Sequence, residues 1–66
     1  MRKSIEEKTA KANEYLRQLK TEYPQAEAIY EDAIIRICGM DGLMILREMR
    51  LIELCGIING RQLYAV

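Results

Sequence analysis

The chain has 66 residues, half of them apolar, and its ten Lys and Arg side chains balance ten Asp and Glu side chains. A chain of this length forms a single small domain, residues 1–66, which buries only about 60% of the surface that it exposes when unfolded. The zero net charge excludes a global positive field that would draw the protein to nucleic acid or to anionic lipid.

The first residues carry charges that argue against a secretory signal. Arg2 and Lys3 give a basic start, but Glu6 and Lys8 lie where a signal peptide needs its apolar core. No apolar run in the sequence approaches the length of a membrane-spanning helix. The sequence therefore predicts a cytoplasmic protein with no membrane partner, whose cysteines remain thiols.

The first helix is predicted over residues 5–22. Ser4 and Glu7 fit a capping box, in which each side chain accepts a hydrogen bond from the other residue's backbone N–H. Apolar and small side chains then recur at spacings of three and four on one stripe: Ile5, Ala12, Tyr15, Leu16, Leu19 and Tyr23. Because the stripe is narrow, the helix either lies across a small core or pairs with its copy in a dimer, and the sequence leaves both open.

The second helix is predicted over residues 24–38. Pro24 disfavours helical geometry at Tyr23 and suits the first position of a new helix. A wide apolar face indicates the central core helix: Ala26, Ile29, Tyr30, Ala33, Ile34, Ile37 and Cys38. The carboxylates of Glu27, Glu31 and Asp32 are interpreted as a solvated face, because no His accompanies them to build an acid–base or metal site.

A third helix is predicted over residues 42–49. Gly39 is expected to end the preceding helix in a left-handed conformation, and Asp41 to cap the new one. The helix is expected to end near Met49, because the charges that follow do not cluster on one helical side. The alternative, a helix that continues to Cys55, stays open.

The last stretch of sequence predicts a C-terminal β-hairpin with strands at about 51–58 and 61–66. Its turn is Asn59-Gly60, since both residues tolerate the positive φ that a type I′ turn requires.

A two-residue turn also sets the register of the strands. It places Leu54 opposite Ala65 and Cys55 opposite Tyr64. The predicted fold is thus α+β, with three helices followed by a hairpin that completes the core. Both cysteines are interpreted as small buried apolar side chains.

Residues 46–66, which are 21 of the 66, also carry a family resemblance. The segment begins Leu-Arg-Glu-Met-Arg-Leu-Ile and ends Gly-Arg-Gln-Leu-Tyr-Ala-Val, and it resembles the end of the recognition helix and the wing of winged-helix repressors of the arsenic-responsive type. The resemblance implies DNA binding, with Arg47, Arg50 and Arg61 as phosphate contacts. The chain departs from that family at Arg50, where Gly is common, and it lacks the family's cysteine metal motif.

Two functions follow from these observations. The first is a small non-enzymatic protein that acts through protein–protein contact as a homo-oligomer, most simply a homodimer, of the kind that mobile-element or phage-like reading frames encode. It is indicated by an apolar content that is high for the length. The alternative is a minimal winged-helix-like DNA-binding regulator, which must dimerise to gather enough positive charge.

The sequence lacks the side chains that catalysis and metal binding require. There is no His, and no Ser or Cys stands beside a base that would activate it. Two cysteines without His do not build an ordinary four-ligand zinc site. The sequence therefore predicts no enzyme, no cofactor and no metal.

Overall fold

The computed structural model of the protein describes residues 2–66, and side chains from Ser4 onward. Its elements in chain order are helix α1 (Arg2–Glu22), strand β1 (Ala28–Tyr30), helix α2 (Glu31–Glu48), strand β2 (Glu53–Ile58) and strand β3 (Arg61–Ala65). The three strands form an antiparallel sheet in the order β1-β3-β2. The fold is α+β, and the strand that comes last in the chain lies at the centre of the sheet.

The predicted series of three helices and a hairpin is wrong in its second element. Residues 28–30 belong to the predicted helix 24–38, but they form β1 instead. This strand pairs with β3 in the register Ala28 with Ala65, Ile29 with Tyr64 and Tyr30 with Leu63. Sheet pairing and the burial of Ile29 outweigh the weak helical preference of so short a run.

Pro24 lies in the connection between α1 and β1 and does not start a helix. The backbone N–H of Ala26 donates to the carbonyl of Tyr23 over 3.3 Å and closes a turn. Pro24 is the second residue of this turn, a position that its fixed φ favours. The predicted capping box at Ser4 is also wrong, because α1 already begins at Arg2 and Ser4 lies inside the helix.

Helix α2 contains both the rest of the predicted second helix and the predicted third helix 42–49. Gly39 has φ 75° and ψ 172°, so the helix is kinked there. Residues 40–48 are helical immediately afterwards, so no loop separates two helices. Helix α2 ends at Glu48, and the N–H of Met49 donates to the carbonyl of Ile45 over 2.9 Å. The sequence left two ends open for this helix, Met49 and Cys55, and the structure agrees with the earlier one.

The core lies between α1, α2 and one face of the sheet. Its fully buried large side chains come from three elements: Leu19, Ile34, Leu43, Leu46 and Tyr64. Ala12 and Leu19 of the predicted α1 stripe are buried, and Ile5 at the start of that stripe is exposed. Part of the stripe thus packs inside a single chain, and its beginning lies on the surface.

The hairpin register follows the prediction near the turn and then shifts by one residue. Three pairs follow it: Ile58 with Arg61, Ile57 with Gln62, and Gly56 with Leu63. A β-bulge then inserts Cys55, so that Leu54 lies opposite Tyr64 and not Ala65. The predicted pairing of Cys55 with Tyr64 is therefore wrong.

The bulge changes which side chains share a face of the sheet. Leu54 and Ile57 are three positions apart, so they would point to opposite faces of a regular strand. Their partners Tyr64 and Gln62 are two apart on β3 and point to one face. The extra residue therefore brings Leu54 and Ile57 to the same face, the one that α2 partly covers.

Candidate interaction surface

Strand β2 is one edge of the sheet, and in residues 2–66 its outer side pairs with no other strand. In an antiparallel ladder the residues on either side of a two-residue turn bond to each other, and every second residue along each strand then does so. Ile58 and Gly56 therefore bond to β3. The N–H and C=O of Ile57, which lies between them, point outward from the sheet.

This edge carries large aliphatic side chains that solvent reaches. Leu54 is 53% exposed, Ile57 64% and Ile58 46%. Most edge strands are protected from pairing by lysine, proline or inward-pointing charges. The charged residue of β2 is Glu53 at its first position, and the bulge at Cys55 leaves the strand regular only over residues 56–58.

Helix α2 extends the apolar surface beside the hairpin. The guanidinium of Arg47 lies 5.9 Å from the centroid of the Tyr64 ring, and Tyr64 is the partner of Leu54 in the sheet. Met44, one helical turn before Arg47, is 61% exposed. We call the surface formed by Met44, Arg47, Leu54 and Ile57 the hairpin face.

The hairpin face has little positive charge of its own. Tyr64 beneath it is buried, and its hydroxyl donates to Glu31 Oε2 over 2.8 Å, while Gln62 Oε1 lies 3.2 Å from the same hydroxyl. Burial, and then the hydrogen bond to Glu31, raise the pKa of Tyr64 above its ordinary value. The phenol of Tyr64 is neutral, and the charges of Glu31 and Arg47 have opposite signs. The hairpin face is therefore suited to apolar contact.

The three arginines proposed as phosphate contacts do not lie together. Arg47 lies over the ring of Tyr64. Arg61 is three residues before Tyr64 on β3, so its side chain points to the opposite face of the sheet. Arg50 is exposed in the turn after α2, with φ 58°, and its N–H donates to the carbonyl of Arg47 over 3.1 Å.

Arg61 is bound within the chain. Its guanidinium donates to both oxygens of Asp32 over 2.9 to 3.1 Å and lies 3.8 Å from the centroid of the Tyr30 ring. The hydrogen bonds from Arg61 lower the pKa of the Asp32 carboxyl. Asn59 and Gly60, just before it, form the two-residue connection with φ 52° and 77°.

The two cysteines have different environments. Cys38 is buried, and burial raises the pKa of its thiol. Cys55 is exposed at the bulge, so its predicted burial is wrong. Over residues 2–66, no three His, Cys, Asp or Glu side chains are grouped so as to hold a metal ion. No helix in this part of the chain is long and apolar enough to cross a membrane.

Sequence reasoning missed that Leu54 and Ile57 share one face and that β1 exists. Only the run of aliphatic residues before Asn59 signalled an apolar edge. The sequence matches no protein-family model, and no curated protein or solved structure is significantly similar to it.

Proposed function

We propose that this protein is non-enzymatic and acts by protein–protein contact, with a second copy of itself as its partner. The observation that carries the proposal is the open β2 edge with its exposed Leu54, Ile57 and Ile58. Burial of aliphatic side chains drives association, and outward N–H and C=O groups direct it. We place the protein in the cytoplasm, where Cys38 stays a thiol.

The regular part of β2 limits how two copies can pair. Between the bulge at Cys55 and the turn at Asn59, only residues 56–58 form a regular strand, and Ile57 is at its centre. A two-fold axis beside Ile57 lets its N–H and C=O pair with those of its counterpart, as an isologous contact requires. Two three-stranded sheets then become one continuous sheet, and the two hairpin faces extend the contact.

The test is the mass of the protein in solution, measured by size-exclusion chromatography with light scattering over a range of concentrations. The chain is expected to have twice the mass of one copy, and Ile57→Lys to have the mass of one copy. Ile5→Lys is the matched control, because Ile5 is an isoleucine of similar exposure, 65%, on α1 and outside the sheet. A wild-type monomer at all concentrations, or a dimer that survives Ile57→Lys, would contradict the proposal.

A second candidate function is DNA binding by a winged-helix-like domain. It is favoured by the resemblance of residues 46–66, which form the end of α2 and the hairpin of β2 and β3, to the end of a recognition helix followed by a wing. Residues 40–48 of α2 would then be the recognition segment. Their exposed polar side chains are Asp41, Arg47 and Glu48, so a duplex would meet one basic and two acidic groups.

Fluorescence anisotropy with a labelled mixed-sequence duplex at low and moderate salt tests this candidate. Winged-helix binding predicts an affinity that falls with salt and weakens when Arg47 or Arg50 is changed to Ala. Arg61→Ala tests the third proposed contact, which lies on the other face of the sheet. Absence of binding at low salt would exclude the candidate.

A further inference from the structure

The sheet has a second open edge at β1, and a groove of about 520 Å³ follows it. The groove lies between the end of α1, the first turns of α2 and the sheet. It is lined by the rings of Tyr23 and Tyr30, by aliphatic and small side chains, by Arg36, and by the ion pair of Asp32 with Arg61. We call it the β1 groove. It is at the opposite edge of the sheet from β2.

The backbone of Ala28 offers a hydrogen-bonding pair to this groove. The N–H of Val66 donates to the carbonyl of Glu27 over 3.1 Å, which makes these two residues a bonded pair of the antiparallel ladder. The next bonded pair is then Ile29 with Tyr64. Ala28 lies between the two bonded positions, so its N–H and C=O point away from β3, toward the open edge.

One of the two arginines at the groove is available to a ligand. Arg61 is held by both oxygens of Asp32 and stacked on Tyr30. Arg36 Nη2 donates to the hydroxyl of Tyr23 over 2.6 Å, and among the side chains from Ser4 onward it forms no ion pair. The phenol fixes the direction of the Arg36 guanidinium without neutralising its charge.

We propose that the β1 groove binds an extended peptide segment of another protein, which adds to the sheet beside β1 and places one acidic side chain on Arg36. The outward N–H and C=O of Ala28 pair with the peptide backbone. Tyr23, Tyr30 and the neighbouring small side chains receive an aliphatic side chain of the peptide. A carboxylate completes the hydrogen bonding of Arg36, as guanidinium–carboxylate pairs do.

The probe is the acetylated and amidated hexapeptide Thr-Val-Thr-Glu-Thr-Val, in which valine and glutamate share one face of the extended chain; it is titrated into the ¹⁵N-labelled full chain and followed by NMR. The expected result is saturable shift changes at Ala28, Tyr30 and the Arg36 side chain. The same peptide with glutamine in place of glutamate is expected to bind roughly tenfold more weakly, because it lacks the charge. A peptide N-methylated at alternate residues, which loses its donors to β1, is expected not to bind.

Two protein variants test whether the affinity for the peptide depends on the charge of Arg36 in particular. Arg36→Gln is expected to bind the glutamate peptide no better than the wild type binds the glutamine peptide. Arg17→Gln is the control, because Arg17 is an exposed arginine that pairs with Glu14 outside the groove. Thermal melts of both variants establish that they are folded, as changes at exposed side chains predict.

The titration is repeated with Ile57→Lys, so that its result does not depend on self-association at β2. Equal peptide affinity in this variant supports an independent site at β1. Three results would overturn the proposal: equal affinity for the glutamate and glutamine peptides, shift changes confined to residues 56–58, or no binding of the glutamate peptide at millimolar concentration.

Discussion

Tyr64, at the centre of the sheet, donates a 2.8 Å hydrogen bond to Glu31 at the start of α2. Tyr64 is 1% exposed, so the bond joins the central strand to the helix from inside the core. A hydrogen bond to a charged group contributes about 1.5–3 kcal/mol. Tyr64→Phe keeps the ring and removes the donor, and we expect urea denaturation to show a loss of about 1–2 kcal/mol because Glu31 is only half-buried.

Tyr30→Phe is the control for this measurement. Its ring packs under Arg61, and its hydroxyl donates no hydrogen bond to the side chains described from Ser4 onward. We expect its free energy of unfolding to change by less than about 0.5 kcal/mol. A double-mutant cycle of Tyr64→Phe with Glu31→Ala that gives no coupling energy would refute the assignment of the loss to this bond.

The same tyrosine predicts a loss of stability at alkaline pH. Its pKa is raised above 10.0 in the folded state by burial and by Glu31. A group whose pKa is raised on folding stabilises the protein fully below its unfolded pKa, and that stabilisation disappears as the pH rises through the folded value. We expect the free energy of unfolding to fall above about pH 10.

Tyr64→Phe should show a smaller alkaline decline in the free energy of unfolding than the wild type. Some decline remains in this variant, because burial followed by the charge of Asp41 also raises the pKa of Tyr15. Urea denaturation at a series of pH values measures both curves. Parallel curves for Tyr64→Phe and wild type would show that Tyr64 does not contribute.

Gly42 is closely packed, against Cys38 across the kink of α2 and against Tyr15 of α1. A Cβ at this position would overlap Cβ of Cys38 and lie 3.3 Å from the ring of Tyr15. We expect Gly42→Ala to destabilise the protein by about 1–3 kcal/mol through overpacking, despite the better helix propensity of Ala. Gly56→Ala is the matched control, because no heavy atom lies within 4 Å of its added Cβ. Equal melting temperatures for the two variants would contradict this close packing.

Gly60 tests the hairpin turn. Its φ of 77° lies in the left-handed region, which costs other residues about 1–2 kcal/mol. We expect Gly60→Val to lose at least that much stability, because a β-branched side chain is the least tolerant of this region. Gly60→Asn should cost less, since Asn tolerates positive φ. If thermal unfolding of Gly60→Val is unchanged, the turn does not require this backbone conformation.

Local sequence signals were sufficient for some elements of the fold and not for others. The Asn59-Gly60 signal and the loss of helical pattern after Met49 both depend on neighbouring residues, and both features occur in the structure. Strand β1 depends on pairing with residues 63–65 at the far end of the sequence. A three-residue strand is too short to show alternation, and the same residues also fit the spacing of a helical stripe.

The surface was less predictable than the fold because it depends on tertiary contacts. The resemblance to winged-helix repressors groups Arg61 with Arg47 and Arg50, but Asp32 binds Arg61 on the opposite face of the sheet from Arg47. The bulge at Cys55 depends on how β2 fits against β3, and the alternation of the sequence contains no sign of it. One inserted residue decides that Leu54 and Ile57 form a common apolar surface.

The position of β3 has a consequence for the synthesis of the protein. Both pairings of the sheet and the buried ring of Tyr64 require residues 61–65, which are synthesised after α1, β1, α2 and β2. Until then, the apolar side chains of α2 and β2 have no sheet to cover them, and such nascent chains are prone to aggregate. Folding is therefore expected to be completed after translation of β3, and a stop codon before Tyr64 should yield a chain that is degraded instead of a shortened functional protein.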